Sequence, residues 1–264
     1  MSKLSKFKRM HEQKELLFLP NSWDTLSAVI FEQLGFKAIG TTSWGIANAL
    51  GYQDGERIQF HELLEISKTI ISSVEIPVTI DIEAGYSDNP EVVSDNVLKI
   101  ADIGAAGINI EDSLKNKQCL KDVKEQCRLI EKIRVRLDQG GYKEFFINAR
   151  TDTYLQKKSP LEETINRATH YVSSGANGIF VPGLCHDEEI EKLVSFVEAP
   201  LNIMSLPNLT DVDNLNNLGV KRYSIGNAFS DAVISYIEET AKSILMKRET
   251  KSLYFNKEIR TEFK

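Results

Sequence analysis

Pro77-Val-Thr-Ile-Asp-Ile-Glu-Ala-Gly-Tyr86 reads as a β-strand, apolar along its length, that ends in two carboxylates just before a glycine. Side chains alternate along a strand, so Val78, Ile80 and Ile82 take one face and Thr79, Asp81 and Glu83 the other. The first face packs. The second carries neighbouring charges that repel and are costly to desolvate, and a hard cation such as Mg²⁺, which takes oxygen ligands, is the simplest compensation. The stretch predicts a buried strand that delivers acids to a site.

Seven further apolar runs of β type occur, at 16–20, 36–41, 107–112, 145–150, 178–183, 200–205 and 221–226. Between them lie helical patterns such as 91–103, 122–137, 161–174, 187–197 and 211–218, and Gly104, Gly175 and Gly219 stand where helix stops are expected. Strand and helix alternate throughout, which means parallel strands joined by helical crossovers. Eight such units in about 250 residues is the count of a closed (β/α)8 TIM barrel. No Gly-x-Gly-x-x-Gly fingerprint follows the first strand and no Gly-x-x-x-x-Gly-Lys-Ser/Thr loop occurs, so dinucleotide and P-loop folds lose their main support. The expectation is one domain, 1–264. Residues 1–15 form an N-terminal helical arm, with Leu4, Phe7 and Met10 on one face. Residues 230–264 form a C-terminal helix and charged tail, which either closes the barrel or packs on a neighbouring subunit.

The 264 residues are 42% hydrophobic and 27% charged, which suffices for one large core. A formal net charge of −6 and a pI near 5.4 argue against nucleic-acid or anionic-membrane partners and favour small molecules. Three cysteines, Cys119, Cys127 and Cys185, do not make a disulfide framework, and the lysine-rich start lacks a signal-peptide core, so a cytoplasmic location is expected.

Barrel enzymes gather their chemistry at the C-terminal ends of the strands. Those ends supply Asn21-Ser-Trp-Asp24, Thr41-Thr-Ser-Trp-Gly45 with the loop through Asp54, then Asp81 and Glu83, Glu111 and Asp112, Asn148 to Asp152, and Asn202. Asp54, Asp81, Glu83 and Glu111 would ring one mouth with the fixed charge of Arg150 across from them. A divalent ion held by acids polarises a carbonyl and stabilises an enolate, while arginine grips a carboxylate at two points. Backbone N–H groups of Ser43-Trp44-Gly45 offer an oxyanion cradle. A 2-oxo acid has both required oxygens. Against these, Asp112 and Asp152 read as loop braces, and Asn202 is as suited to tying strands together as to touching a ligand. His11, His61, His170 and His186 read as surface residues, and Ser43 has no histidine and acid in a triad arrangement.

Taken in order, Thr41-Thr-Ser-Trp-Gly-Ile-Ala47 with Leu50-Gly-Tyr-Gln-Asp54, Asp81-Ile-Glu-Ala-Gly-Tyr86, Gly107-Ile-Asn-Ile-Glu-Asp-Ser113, Ile147-Asn-Ala-Arg-Thr-Asp152 and Gly178-Ile-Phe-Val-Pro-Gly183 resemble the isocitrate lyase and phosphoenolpyruvate mutase superfamily from about residue 16 to residue 239. The resemblance implies a (β/α)8 barrel whose last helix is exchanged between subunits of a homodimer or homotetramer. It implies Mg²⁺, with Mn²⁺ as a substitute, bound directly by Asp81 and largely through water by Asp54, Glu83 and Glu111. It also implies that Ser43, Trp44, Gly45, Arg150 and Asn202 hold a small carboxylic-acid substrate.

Departures from the pattern bear on the reaction. Cleaving members that resemble isocitrate and methylisocitrate lyases carry a Lys-Arg/Lys-Cys-Gly-His loop after strand four, where this chain has Lys117-Gln-Cys-Leu-Lys121. Cys119 keeps the spacing of their acid or base without the flanking glycine and histidine that tune a thiolate. Their Pro-Glu after strand six is Pro182-Gly183 here. The expected activity is that of an Mg²⁺-dependent lyase cleaving a C–C bond of a 2-oxo or 2-hydroxy acid, in the manner of methylisocitrate lyase or oxaloacetate decarboxylase, through an enolate. The alternatives are a P–C bond mutase or hydrolase, to which Lys115, Lys117 and Lys121 lend a basic loop, and a barrel that binds a metabolite without turnover.

Overall fold

The computed structural model describes residues 2–114, 119–156 and 160–254. Eight parallel strands form the barrel: Leu17–Leu19 continued as Asn21–Ser22, then Ile39–Thr41, Val78–Asp81, Gly107–Glu111, Phe146–Arg150, Gly178–Phe180, Leu201–Met204 and Arg222–Ser224. Pro20 interrupts the first strand because it has no N–H for the ladder. The half before it pairs with the last strand and the half after it with the second, so this one strand joins the two edges of the sheet. All eight expected strands are present, and the runs ending at 83, 112, 183, 205 and 226 continue past their strands into the turns that carry residues to the mouth.

Helices cover the outer face as the 3.6-residue periodicity requires. Pro90–Asp102 starts on an Asn89 cap with proline in its first turn, Val123–Gln139 on an Asp122 cap, and Val212–Asn217 on an Asp211 cap. Gly104, Gly175 and Gly219 all have positive φ, as expected of residues that stop a helix in the left-handed conformation.

The barrel interior is layered. At its N-terminal end Leu17, Leu19, Ala38, Ala106 and Phe146 form a floor, and the helix Lys3–Met10 plugs it with Phe7, which is wholly buried and edge-on to Phe146. Burying each of these rings contributes about 2–3 kcal/mol. His11 belongs to the same plug: it is 2% exposed, stacks on Phe146 at 4.0 Å and shares a hydrogen bond between Nδ1 and the Phe7 carbonyl. This corrects the surface reading for His11; His61, His170 and His186 are exposed.

The last helix, Ala228–Lys247, buries only Ser230 and leaves Val233, Ile234, Tyr236 and Ile237 about half exposed. It therefore does not close the barrel. No helix among the described residues is long and apolar enough to cross a membrane.

Candidate active site

A cavity of about 190 Å³ opens at the C-terminal ends of the strands. Its polar lining includes Asn21, Ser43, Asp54, Asp81, Asn109 and Arg150, and its apolar lining Leu155, Phe180, Pro182 and Met204.

Asp81 is the last residue of the third strand and sits at the polar end. Its N–H donates to Thr41 Oγ1 (2.9 Å), and its carboxylate accepts from Ser43 Oγ (3.3 Å) and from the Glu83 N–H (3.2 Å). Burial pushes its carboxyl up to about 6; Arg150 opposes the shift, while Glu111 and Asp54 add to it. A carboxylate so disfavoured is one that a cation would stabilise.

Arg150 ends the fifth strand. Its Nη1 lies 3.1 Å from Glu111, its Nε donates to Asp152 at 2.6 Å, and its guanidinium carbon is 5.7 Å from the centre of the Phe180 ring. Burial works against its charge, but Glu111, Asp152 and Asp81 outweigh burial and hold it above its ordinary value. It is a permanent cation at the edge of the cavity.

The chain turns immediately after Asp81, and Glu83 adopts φ +50°, outside the strand. The strand alternation that grouped Thr79, Asp81 and Glu83 therefore holds only as far as Asp81. Glu83 instead accepts the Glu56 N–H on both carboxylate oxygens (3.0 and 2.9 Å) and the Tyr86 hydroxyl (3.1 Å). Glu56 returns the contact by accepting the N–H groups of Ala84 (3.1 Å) and Tyr86 (2.8 Å). This clasp fixes the loop that brings the exposed Asp54 to the cavity.

Among the described residues no three acids, histidines or cysteines converge closely enough to hold an ion directly. Of the four acids expected at the mouth, Asp54 and Asp81 line the cavity, Glu111 pairs with Arg150 and Glu83 with the Glu56 backbone; the Asp81 carboxylate, disfavoured by burial and by Glu111 and Asp54, is the group that fits a divalent ion.

Thr42 caps the short helix Ser43–Ala49 by accepting the Gly45 N–H at 3.3 Å, so Ser43 and Trp44 line the cavity while Gly45 lies behind them. A Cβ on Gly45 would lie 2.7 Å from Thr42 Cγ2 and 2.8 Å from Trp23 Cβ, which is why only glycine fits. Trp44 is anchored from the last helix, its Nε1 donating to Asp231 at 2.8 Å.

Asn202 does not line the cavity; it is buried one layer lower and ties strands seven and eight together. Cys119 is exposed on a small hairpin with Ser113–Leu114, away from the lining; Lys115 and Lys117 lie outside the described residues. Asp112 braces loops, accepting from the Asp152 N–H (3.0 Å), Tyr171 (2.8 Å) and Arg167 (3.2 Å). Asn21, a strand-end residue expected at the mouth, lines the cavity, and Asn109, Phe180 and Met204 line it without having been expected there. Their signal was the interior face read two residues at a time, as in Asn109 and Glu111, or Asn202 and Met204.

The profile of the phosphoenolpyruvate phosphomutase family matches residues 7–245. An uncharacterized protein of Mycobacterium tuberculosis is 36% identical over 239 residues, covering 90% of this chain and 88% of that protein. The 2-methylisocitrate lyase of Aeropyrum pernix is 27% identical over 264 residues, covering 96% and 83%. The structure of oxaloacetate acetylhydrolase in complex with the product oxalate superposes with a TM-score of 0.83 at 25% identity, covering 92% and 86%. With a barrel of this form and matching residues in order along it, the chain belongs to the phosphoenolpyruvate phosphomutase family of the isocitrate lyase superfamily.

Proposed function

We propose that the protein is an Mg²⁺-dependent lyase that breaks a C–C bond of a 2-oxo or 2-hydroxy carboxylic acid through an enolate. The observation that carries this reading is that Asp81 and Arg150 share one small cavity whose lining also includes the apolar Leu155, Phe180, Pro182 and Met204.

Arg150 takes the substrate's terminal carboxylate, for which its fixed charge and planar fork are suited. Ser43 donates to the oxygen next to it, and Asp81 with the surrounding acids holds the ion. When bound, Mg²⁺ supplies the charge that polarises the 2-oxo group and favours the enolate. The rest of the acid then faces the apolar wall. A second carboxylate there has no cation of its own, since Arg150 is the only cation among the described lining residues and it holds the first carboxylate. Charge that leaves such a group for the enolate oxygen escapes a costly position. For a 2-oxo diacid, the bond to the distal carboxylate breaks, its electron pair moves toward the 2-oxo oxygen and carbon dioxide departs. Water then protonates the enolate carbon, because Cys119 stands outside the lining.

The same wall disfavours transfer of a dianionic phosphonyl group, which ranks P–C chemistry second. The half-exposed apolar side chains of the last helix support exchange of that helix within a homodimer, or within a tetramer of dimers. The reading is tested by 2-oxo acid release from oxaloacetate, 2-methylisocitrate, a dialkylmalate and phosphonopyruvate, with Mg²⁺ or chelator. Mg²⁺-dependent release from one of the first three supports it. Turnover of phosphonopyruvate alone overturns the C–C assignment.

A further inference from the structure

Beneath the cavity the barrel holds a chain of buried polar side chains that no packing need explains. Asn109, Asn148, Asn202 and Arg222, on strands four, five, seven and eight, are each 5% exposed or less. Arg222 is a cation whose Nε and Nη1 have no hydrogen-bond partner among the described residues; its guanidinium carbon lies 6.0 Å from the centre of the Phe7 ring. We infer that this chain exists to aim Asn109: its amide N–H binds an anionic oxygen of the substrate acid, and Arg222 is the positioning residue that orients it.

The orientation follows from which groups are able only to give or only to take a hydrogen bond. Asn202 Nδ2 faces the carbonyls of Ile203 (2.9 Å) and Arg222 (3.3 Å), which only accept, so Asn202 turns its Oδ1 to Asn148. Asn148 Nδ2 must then be the donor, to Asn202 Oδ1 at 3.0 Å and to Asn109 Oδ1 at 2.9 Å. From the other side Arg222 Nη2, which only donates, reaches the same Asn109 oxygen at 3.3 Å. Two donors hold that oxygen down. The Asn109 Nδ2 group therefore faces away from them, it donates to no group among the described residues, and Asn109 lines the cavity beside Asp81, its partner in strand register.

The Asn109 Nδ2 group is thus a preoriented donor at the cavity wall with no acceptor among the described residues, and an anionic oxygen in the cavity supplies one. Burial draws the Arg222 pKa down to about 9, and Asp81 above it works in the opposite sense. A carboxylate or enolate oxygen held at the cavity side of Asn109 meets its Nδ2 group, and Arg222 bears on it through the Asn109 oxygen that it holds.

This inference rests on the 2-oxo acid reading above, and the probe is oxalate, a planar mimic of such an enolate, titrated calorimetrically into the Mg²⁺-loaded full chain. Two variants separate the donor from its scaffold. Asn109→Asp keeps the oxygen that Arg222 and Asn148 need and removes the donor; Asn109→Leu removes the donor without adding charge. Both should bind oxalate about ten- to a hundredfold more weakly than wild type, with Mg²⁺ affinity in the absence of oxalate retained in Asn109→Leu. Arg222→Met should weaken oxalate in the same direction, and the double variant Arg222→Met/Asn109→Leu should bind no more weakly than Asn109→Leu alone, because Arg222 acts through Asn109. If Arg222→Met does not fold, Arg222→Lys decides, with an expected loss smaller than that of Asn109→Leu.

Wild-type affinity in Asn109→Leu overturns the inference while leaving the proposed function standing. Losses that add in the double variant overturn the part assigned to Arg222. Wild-type protein that binds no oxalate with Mg²⁺ present overturns both readings together.

Discussion

Glu83 and Glu56 hold one another across the mouth of the barrel. The Glu83 carboxylate accepts the Glu56 N–H on both oxygens, and the Glu56 carboxylate accepts the N–H groups of Ala84 and Tyr86 in the turn after Glu83. Glu56, Glu83 and Tyr86 all have positive φ, a conformation non-glycine residues adopt at a cost, so the clasp holds two strained turns in place.

Glu56→Ala removes one direction of that clasp and frees two N–H groups. The expected result is a loss of about 1–3 kcal/mol in stability and weaker Mg²⁺ binding, because Asp54 sits two residues before Glu56. Thermal melting and Mg²⁺ calorimetry on the same variant check both parts.

Asp81 makes metal binding depend on pH. Its carboxyl is raised from 3.8 to about 6 in the folded protein, so below that value a proton must leave before an ion enters. Apparent Mg²⁺ affinity should fall about tenfold per pH unit below pH 6 and level off above it. In the metal-free protein a raised carboxyl has the opposite cost. Stability from this group is greatest below 3.8, declines as pH rises to about 6 and stays lower above that. Asp81→Asn should abolish both dependences.

His11 works in the other sense. Burial, with the Arg222 charge second, lowers its pKa from 6.5 to about 3, against a smaller opposing effect of the Phe7 carbonyl. The unfolded chain therefore binds a proton that the folded chain refuses, and stability falls by up to about 1.4 kcal/mol per unit as pH drops from 6.5 toward 3. Denaturant titrations of wild type and His11→Phe between pH 4 and 8 isolate the effect, since Asp81 is common to both. A slope that persists in His11→Phe contradicts the assignment.

Arg150→Lys keeps a charge beside Glu111 and Asp152 but loses the planar fork. The fold should survive, and KM for the 2-oxo acid should rise about ten- to a hundredfold, since one of two charge-assisted hydrogen bonds is gone. Steady-state kinetics on the best substrate of the panel measure it.

Ile237→Glu places a charge among the half-exposed Val233, Ile234 and Tyr236 of the last helix. If that face meets a second copy, sedimentation should show a smaller species than wild type at the same concentration, with the barrel's far-ultraviolet spectrum unchanged.

The fold was legible because period and punctuation agree: eight apolar runs, helices between them, and glycines such as Gly104 and Gly219 at helix ends. Asp81 and Arg150 were legible for a related reason, since each closes an apolar run at the end of a barrel strand. What the run could not reveal is where the strand stops. Glu83 follows the alternation in sequence, yet its left-handed backbone sends it to Glu56, a partner 27 positions away. His11 was misplaced because a polar residue in a lysine-rich arm gives no local sign that an aromatic ring lies ready to stack on it. The buried amide chain escaped notice because asparagines on strands four, five and seven meet only when the barrel closes.

The central claim, that Asp81 holds an ion on which C–C cleavage depends, is tested most directly by pyruvate release from oxaloacetate in wild type and Asp81→Asn, each with Mg²⁺ and with chelator. The account predicts release above the uncatalysed rate in wild type with Mg²⁺ and none in the other three arms. Equal release by Asp81→Asn, or release by wild type that survives the chelator, would contradict it.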